Sequence, residues 1–341
     1  MRVEDLAYQL PEAAVAQRPV EPRDAARLLV ALGSGQPVHV TVRDLADYVG
    51  PGDLLVINDT KVLPARLRLH KQSGGAVEVL LLSPRDDAHG EWEALVRPGK
   101  RVPPGTPVFA PDQAEPVVIV GAALDEEGTR CVELVGVGSP ADAQRVLAAV
   151  GEVPLPPYIH EPLADPGRYQ TVFARASGSV AAPTAGLHLT EDLLRRCRVA
   201  GAVVATVTLD VGLGTFRPMT AERVEDHAIH AERYVVPDAT LAAIEAADRV
   251  VAIGTTALRC LESYAATGEQ RGSTELFIYG DYRFRLVDRL LTNFHQPGSS
   301  LLALLDAFIG PRWRDLYALA LRDGYRFLSF GDAMFVDKAN R

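Results

Sequence analysis

The chain has 341 residues, of which 48% are hydrophobic, enough for a substantial core and for more than one domain. Against 35 Lys and Arg stand 44 Asp and Glu, a net charge of −9, which excludes a general basic footprint for nucleic acid and leaves room only for a local patch. The 3 cysteines, Cys131, Cys197 and Cys260, form no C-x-x-C pair, which argues against a disulfide framework or a cysteine zinc site and fits a reducing cytoplasm.

The opening MRVEDLAYQLPEA has no apolar h-region, and no stretch approaches the roughly 18 apolar residues of a membrane span, so no leader and no membrane association are expected. TVRDLADYVG reads as a helix with Thr41 as N-cap and Asp44 in a capping box. GDLLVIND follows as a buried strand over 54–57, closed by Asn58, Asp59 and Thr60. From ARLRLHK through SGG to AVEVLLL the pattern is a hairpin, and WEALVRPGKRVPPGTPVFA, PVVIVGAAL and TRCVELVG are further turn-bounded strands. Residues 62–150 therefore form an expected small all-β barrel, inserted into an α/β domain made of 1–61 and 151–341. Past the extended GEVPLPPYIH, strand patterns at AVVATVTL, VVAI, LFIY and RLLTNFH alternate with helices at DATLAAIEAAD, TTALRCLESYAATG and LLALLDAF, before a final apolar segment at RFLSFGDAMFV. That alternation predicts a mostly parallel or barrel-like sheet, with ligands at the strands' carboxyl ends.

The polar groups that close these strands are the candidate site. Asn58-Asp59-Thr60 are turn formers or ligand contacts. In TLDVGLGTFRP, Asp210 ends a strand, but the third glycine of a dinucleotide fingerprint is missing and Pro218 follows in place of a helix. EDHAIHAERY offers His227, His230 and Glu232, ligand types that suit a metal, although acid–base or ribose contacts suit two imidazoles as well. In GTTALR, Thr255 and Thr256 open a helix that caps itself or holds an anion. TNFHQPGSS contributes Asn293 and His295, and SFGDAMF sets Asp332 among apolar residues, where a carboxylate is costly unless paired or used. VAAPTAGLHLT surrounds His188 with small and hydroxyl-bearing residues. No G-x-S-x-G elbow and no P-loop is present.

As a set, LLVINDTKVLPARL, GEVPLPPYI, RYQTVFARASGSVAAPTAGLHLT, TLDVGLGTFRPM, DHAIHAERY, VVAIGTTALRCLES, LLTNFHQPGSSLL and FLSFGDAMFV resemble the S-adenosylmethionine:tRNA ribosyltransferase-isomerase family of queuosine biosynthesis. The resemblance runs from Leu10 to Val336. It implies an α/β domain with an inserted β-barrel. It also implies transfer of the ribosyl part of S-adenosylmethionine to 7-aminomethyl-7-deazaguanine at the wobble position of tRNA, with isomerisation to epoxyqueuosine and loss of adenine and methionine. S-adenosylmethionine is then a ribosyl-donor substrate, and no true cofactor and no metal are expected. The chain departs from the family pattern at Asp210, where TLHVG has histidine, and in FIYGDY and FHQPGSS.

That reaction needs a base beside the sulfonium and assistance to the departing adenine. The expected acid–base groups are His188, His227, His230 and Asp332. Asn58, Ser179, Thr184, Gly186, Asp210, Thr255, Asn293 and His295 are the expected S-adenosylmethionine contacts. Arg66, Arg68, Lys71, Arg97, Lys100 and Arg101 form the best local patch for tRNA phosphates. The expected protein is a cytoplasmic monomer. Its rivals are a non-catalytic tRNA- or nucleoside-binding module of the same fold and a metal-dependent hydrolase using His227, His230 and Glu232.

Overall fold

The computed structural model describes residues 1–125, 128–212, 218–229 and 231–339. The chain divides into two compact units, one of residues 1–61, 156–176 and 182–341, the other of 62–155 and 177–181.

The larger unit is α/β, built on a nine-stranded sheet. Its centre is four parallel strands in the order Val203–Leu209, Asp53–Asn58, Arg249–Ile253 and Arg289–Asn293. LLVI and VVAI are unbroken apolar runs because both faces of these strands are covered. Glu232–Val235 and Arg271–Thr274 continue the sheet antiparallel beyond Val203–Leu209. At the other side Ala333–Asp337 runs antiparallel to Arg289–Asn293 and parallel to Arg27–Ala31, and Val38–Thr41 closes the edge. The sheet is therefore mixed, where the alternation of strands and helices predicted a mostly parallel one. The antiparallel pairs at both flanks make the difference, Glu232–Val235 and Arg271–Thr274 on one side and Ala333–Asp337 against Arg289–Asn293 on the other.

One face carries a core of Leu28, Val30, Leu55, Ile57, Val251, Ile253, Leu291 and Phe335, covered by Val42, Leu45, Leu193, Leu194 and Cys197. The first two come from Val42–Tyr48, which is 3₁₀ and not α, with the Thr41–Asp44 capping box in place. The rest come from helix Glu191–Val199, capped by Thr190. Helix Thr255–Thr267 packs on the same central strands but shares no residue with that cluster, so it covers the opposite face. At the amino end of the sheet, Asp53 is buried and takes two hydrogen bonds from the neighbouring Arg249, at 2.6 and 2.9 Å.

The expected strand at LFIY is not one. The strand is Arg271–Thr274, and Leu276–Tyr279 is irregular. The Arg259 guanidinium takes the carbonyls of Thr274 and Leu276 at 2.9 Å each, which fixes the chain where it leaves the strand. Helix Trp313–Arg322, which follows Ser300–Ile309, was not expected.

In the smaller unit six antiparallel strands, Arg66–Lys71, Ala76–Pro84, Glu91–Arg97, Thr129–Leu134, Val118–Ala123 and Thr106–Phe109, close on themselves because the last pairs with the first. Closure leaves no open edge. Alternate residues such as Leu67, Leu69, Val77, Val79, Trp92, Ala94, Val118 and Val120 fill the interior. The unit also carries a helix, Pro140–Val150, started by Ser139 with proline in its first turn, so it is not all β. Among the described residues, no helix is long and apolar enough to cross a membrane.

Candidate active site

The four parallel strands end on one edge of the sheet, the edge where open α/β sheets bind ligands. There the apolar runs give way to Asn58-Asp59-Thr60, Asp210, Gly254-Thr255-Thr256 and Asn293.

Asn58 is buried and spans two strand ends. Its Nδ2 donates to the Leu209 carbonyl at 3.0 Å, and its Oδ1 accepts from the amides of Leu209 at 3.1 Å and Thr60 at 3.2 Å. An amide so engaged clamps the edge and keeps one N–H at most for a ligand. Beyond the clamp, Asp59 accepts from Thr208 Oγ1 at 2.6 Å and pairs with Arg175 at 3.0 Å. Asp210 accepts from Thr60 Oγ1 at 3.2 Å and faces Arg233 at 3.4 Å. Two carboxylates are thus fixed on neighbouring strand ends, each with its own arginine. In place of the imidazole of the family pattern, Asp210 keeps an acceptor here.

The second cluster centres on Asn293. The 3₁₀ turn Thr184–His188 brings Thr184 Oγ1 to Asn293 Oδ1 at 2.9 Å and His188 Nε2 to Asn293 Nδ2 at 3.1 Å. Nδ2 also donates to the carbonyl oxygen of Asp332 at 3.4 Å, and a carbonyl can only accept, which assigns the amide orientation. His188 Nε2 is therefore an acceptor and its proton sits on Nδ1. Burial, then Arg326 and Arg23, push the His188 pKa down to about 4, so the ring is neutral at pH 7. The turn is positioned by Arg23, whose guanidinium bridges the carbonyls of Gln170 at 2.7 Å and Leu187 at 3.3 Å. Gly186 sits tightly in it, because a Cβ there would lie 2.9 Å from Phe173 and 3.0 Å from Thr171.

Asp332 reaches this cluster through its main chain. Its buried carboxylate accepts from the amides of Arg27 at 2.9 Å and Arg326 at 2.8 Å, with the Arg326 guanidinium 3.9 Å away. Those bonds tie three segments together, which is a positioning role. His295 is turned into the core. It bonds Thr292 Oγ1 at 2.9 Å, its amide donates to the Tyr317 hydroxyl at 2.8 Å, and burial holds its pKa down at about 3.

The other expected residues stand elsewhere. His227 is half-buried with its ring edge-on to Phe277, and His230 lies outside the described residues. Glu232 is bound to the Arg259 guanidinium and to the Gly212 amide, which leaves it a poor partner for a metal on His227. Among the described residues, no group of three His, Cys, Asp or Glu side chains could hold a metal ion. Ser179 belongs to the smaller unit, where its hydroxyl donates to the Ala181 carbonyl at 2.7 Å. In the barrel, Arg68 pairs with Glu152 at 2.9 Å, Arg66 faces Glu78 at 3.9 Å, and Lys71 donates to the Arg101 carbonyl at 3.3 Å. Arg97, Lys100 and Arg101 are exposed.

Sequence reading did not single out Arg23, Arg175 and Thr171. Arg23 and Arg175 carry the polar framework around the two clusters and the Thr171 methyl packs against Gly186; Arg175 and Thr171 lie inside the RYQTVFARASGS string. Thr171 Oγ1 and the Tyr169 hydroxyl are buried without a hydrogen-bond partner.

The family model described as "Queuosine biosynthesis protein" matches residues 3–336. The S-adenosylmethionine:tRNA ribosyltransferase-isomerase of Rubrobacter xylanophilus is 47% identical over 98% of this chain and 98% of its own length. That of Moorella thermoacetica is 48% identical over 98% and 100%. The crystal structure of the S-adenosylmethionine tRNA ribosyltransferase of Thermotoga maritima superposes with a TM-score of 0.54 at 34% identity, covering 97% of this chain and 99% of that one. With its whole length matched and its fold shared, the chain belongs to the S-adenosylmethionine:tRNA ribosyltransferase-isomerase family of queuosine biosynthesis.

Proposed function

We propose that this chain transfers the ribosyl moiety of S-adenosylmethionine to the 7-aminomethyl group of 7-deazaguanine in tRNA and isomerises it, giving epoxyqueuosine-tRNA with release of adenine and methionine. The observation that carries this reading is the Thr184–Asn293–His188 cluster, built from two of the family's most specific strings on the ligand-binding edge of the sheet. Adenine leaves more readily when a purine nitrogen receives a hydrogen bond. A neutral His188 with its proton on Nδ1 is a donor suited to that step. Thr184 and the fixed carboxylates of Asp59 and Asp210 offer acceptors for ribose hydroxyls. His227 and His230 keep the remaining acid–base work, whereas Asn58, His295 and Asp332 position the edge.

The reading includes a cytoplasmic monomer that acts on the wobble position and needs no metal. Arg66, Arg68, Lys71, Arg97, Lys100 and Arg101 grip tRNA phosphates, with the ion-paired Arg68 contributing least. The test is incubation with S-adenosylmethionine labelled in adenine and tRNA carrying the precursor base. Release of adenine that requires the tRNA is expected. Binding of tRNA with no release would make the protein a binding module instead, and activity lost to a chelator would favour the hydrolase.

A further inference from the structure

The amino terminus of helix Thr255–Thr267 is built differently from a simply capped helix. Its N-cap is Gly254, at φ 91°, which brings no side chain to the first-turn amides, and no acidic residue lies in that turn. Every other α-helix among the described residues has a side-chain cap, an acid in its first turn, or both. The orphan amides and the positive end of the dipole are therefore unneutralised by the chain itself.

One hydroxyl makes the same point independently. Thr256 Oγ1 is buried without a partner and lies 3.8 Å from the position a Cβ on Gly254 would take, so it points back over the cap. Thr255, beside it, is only 7% exposed. A buried hydroxyl is ordinarily satisfied, and this exception at a helix start leaves a donor for a ligand. Ala185 approaches the same Gly254 position to 3.4 Å, which puts this donor against the turn that carries Thr184 and His188.

We infer that Gly254, Thr255 and Thr256 form a cradle for the α-carboxylate of the methionine moiety of S-adenosylmethionine. This rests on the ribosyl-transfer reading above and deepens it. The carboxylate is the donor's one anionic group, so it complements unneutralised amides and the unpartnered Thr256 hydroxyl. The cradle is narrow. With Thr255 nearly buried and Ala185 beside Gly254, it suits a small planar carboxylate better than a phosphate on a polynucleotide. Holding the methionine end here leaves the ribose and adenine to the polar residues of the same edge.

The test compares the dissociation constants of S-adenosylmethionine and its decarboxylated analogue for the unaltered protein, Thr256→Val and Thr256→Ser. The unaltered protein is expected to prefer the carboxylate-bearing ligand about 10-fold or more, the scale of a hydrogen bond to a charged group. Thr256→Val should lose about 10-fold for S-adenosylmethionine and nothing for the analogue, and Thr256→Ser should keep the preference. Equal affinities in the unaltered protein, or equal losses for both ligands in Thr256→Val, would overturn the cradle. So would a loss confined to tRNA, which would mark a phosphate site. Adenine release without carboxylate discrimination overturns the cradle alone, whereas no S-adenosylmethionine binding and no release overturns the ribosyl-transfer reading with it.

Discussion

Asn293 Nδ2 lies 3.1 Å from His188 Nε2, and this contact decides which ring nitrogen of His188 carries the proton. The same amide group faces the Asp332 carbonyl, so it must be the donor and Nε2 the acceptor. Nitrogen NMR of the labelled protein should find His188 as the Nδ1–H tautomer at pH 7, and an Nε2–H signal would refute the assignment. His188→Ala should abolish adenine release while leaving the melting temperature within a few degrees. Turnover surviving within a few-fold would remove His188 from the chemistry.

Two buried histidines make folding stability depend on acid. His188 is held down to about 4 by burial and the nearby arginines, and His295 to about 3 by burial. The folded pKa lies below the unfolded one, so between pH 6.5 and about 4 the unfolded chain binds more protons than the folded one. Stability therefore falls as pH falls through that window, and neither group contributes above it. For His188 alone the loss approaches roughly 3 kcal/mol by pH 4. Urea midpoints measured from pH 7 to pH 4.5 should drop less steeply in His188→Asn than in the parent. Identical slopes would show that the ring is not held neutral.

Much of this arrangement is visible in the residues themselves, and the exceptions have physical causes. LLVI and VVAI become central strands because unbroken apolar runs suit a sheet covered on both sides, and polar residues mark where those strands end. Asn58 looks like a ligand contact in sequence, yet its amide is filled by Leu209, a partner 151 residues away. His188 and His295 both sit in polar junctions, but only the turn geometry sends one to Asn293 and the other to Thr292 and the core. Asp332 is costly among apolar neighbours, as expected, and two backbone amides offset the cost where catalysis was expected to explain it. LFIY has strand propensity, yet the strand ends at Thr274, and Leu276 is held outside it with its carbonyl on Arg259. Long-range hydrogen bonds of this kind leave no local pattern.

Two glycines near the cluster should respond differently to alanine. At Gly331 a Cβ would meet main-chain atoms of Arg326 and Phe327 at 2.5 Å, and backbone cannot step aside. At Gly186 it would meet the tip of the Phe173 ring at 2.9 Å and a Thr171 methyl at 3.0 Å, which side-chain rotation relieves in part. Gly331→Ala should cost on the order of 3 kcal/mol or prevent folding, and Gly186→Ala about 1–2 kcal/mol, with a larger effect on turnover than on stability. Chemical denaturation of both variants checks the order; a reversed order would contradict the packing.

Glu232 and Arg259 form a buried pair, so removing one member should be worse than removing both. Burial lowers the Arg259 pKa, and Glu232 beside it works against that shift. Glu232→Gln leaves the guanidinium without a counter-charge and should destabilise the fold by about 3 kcal/mol or more. Glu232→Leu combined with Arg259→Met should recover much of that loss. A chelator should leave adenine release unchanged, because the Glu232 carboxylate is occupied by an arginine and an amide. Metal-dependent turnover would restore the hydrolase reading of His227, His230 and Glu232.

The barrel's cations differ in how much charge they have left for a phosphate. Arg68 is matched by Glu152 and Arg66 faces Glu78, whereas Arg97, Lys100 and Arg101 are exposed, with no ion pair to an acid among the described residues. Each phosphate contact adds close to one unit to the slope of log affinity against log salt. Lys100→Gln with Arg101→Gln should therefore flatten that slope for tRNA by about 1–2 units, and Arg66→Gln with Arg68→Gln by less than about 1. If the second pair flattens it more, the ion pairs open to meet tRNA. If neither changes it, the tRNA is held by another surface.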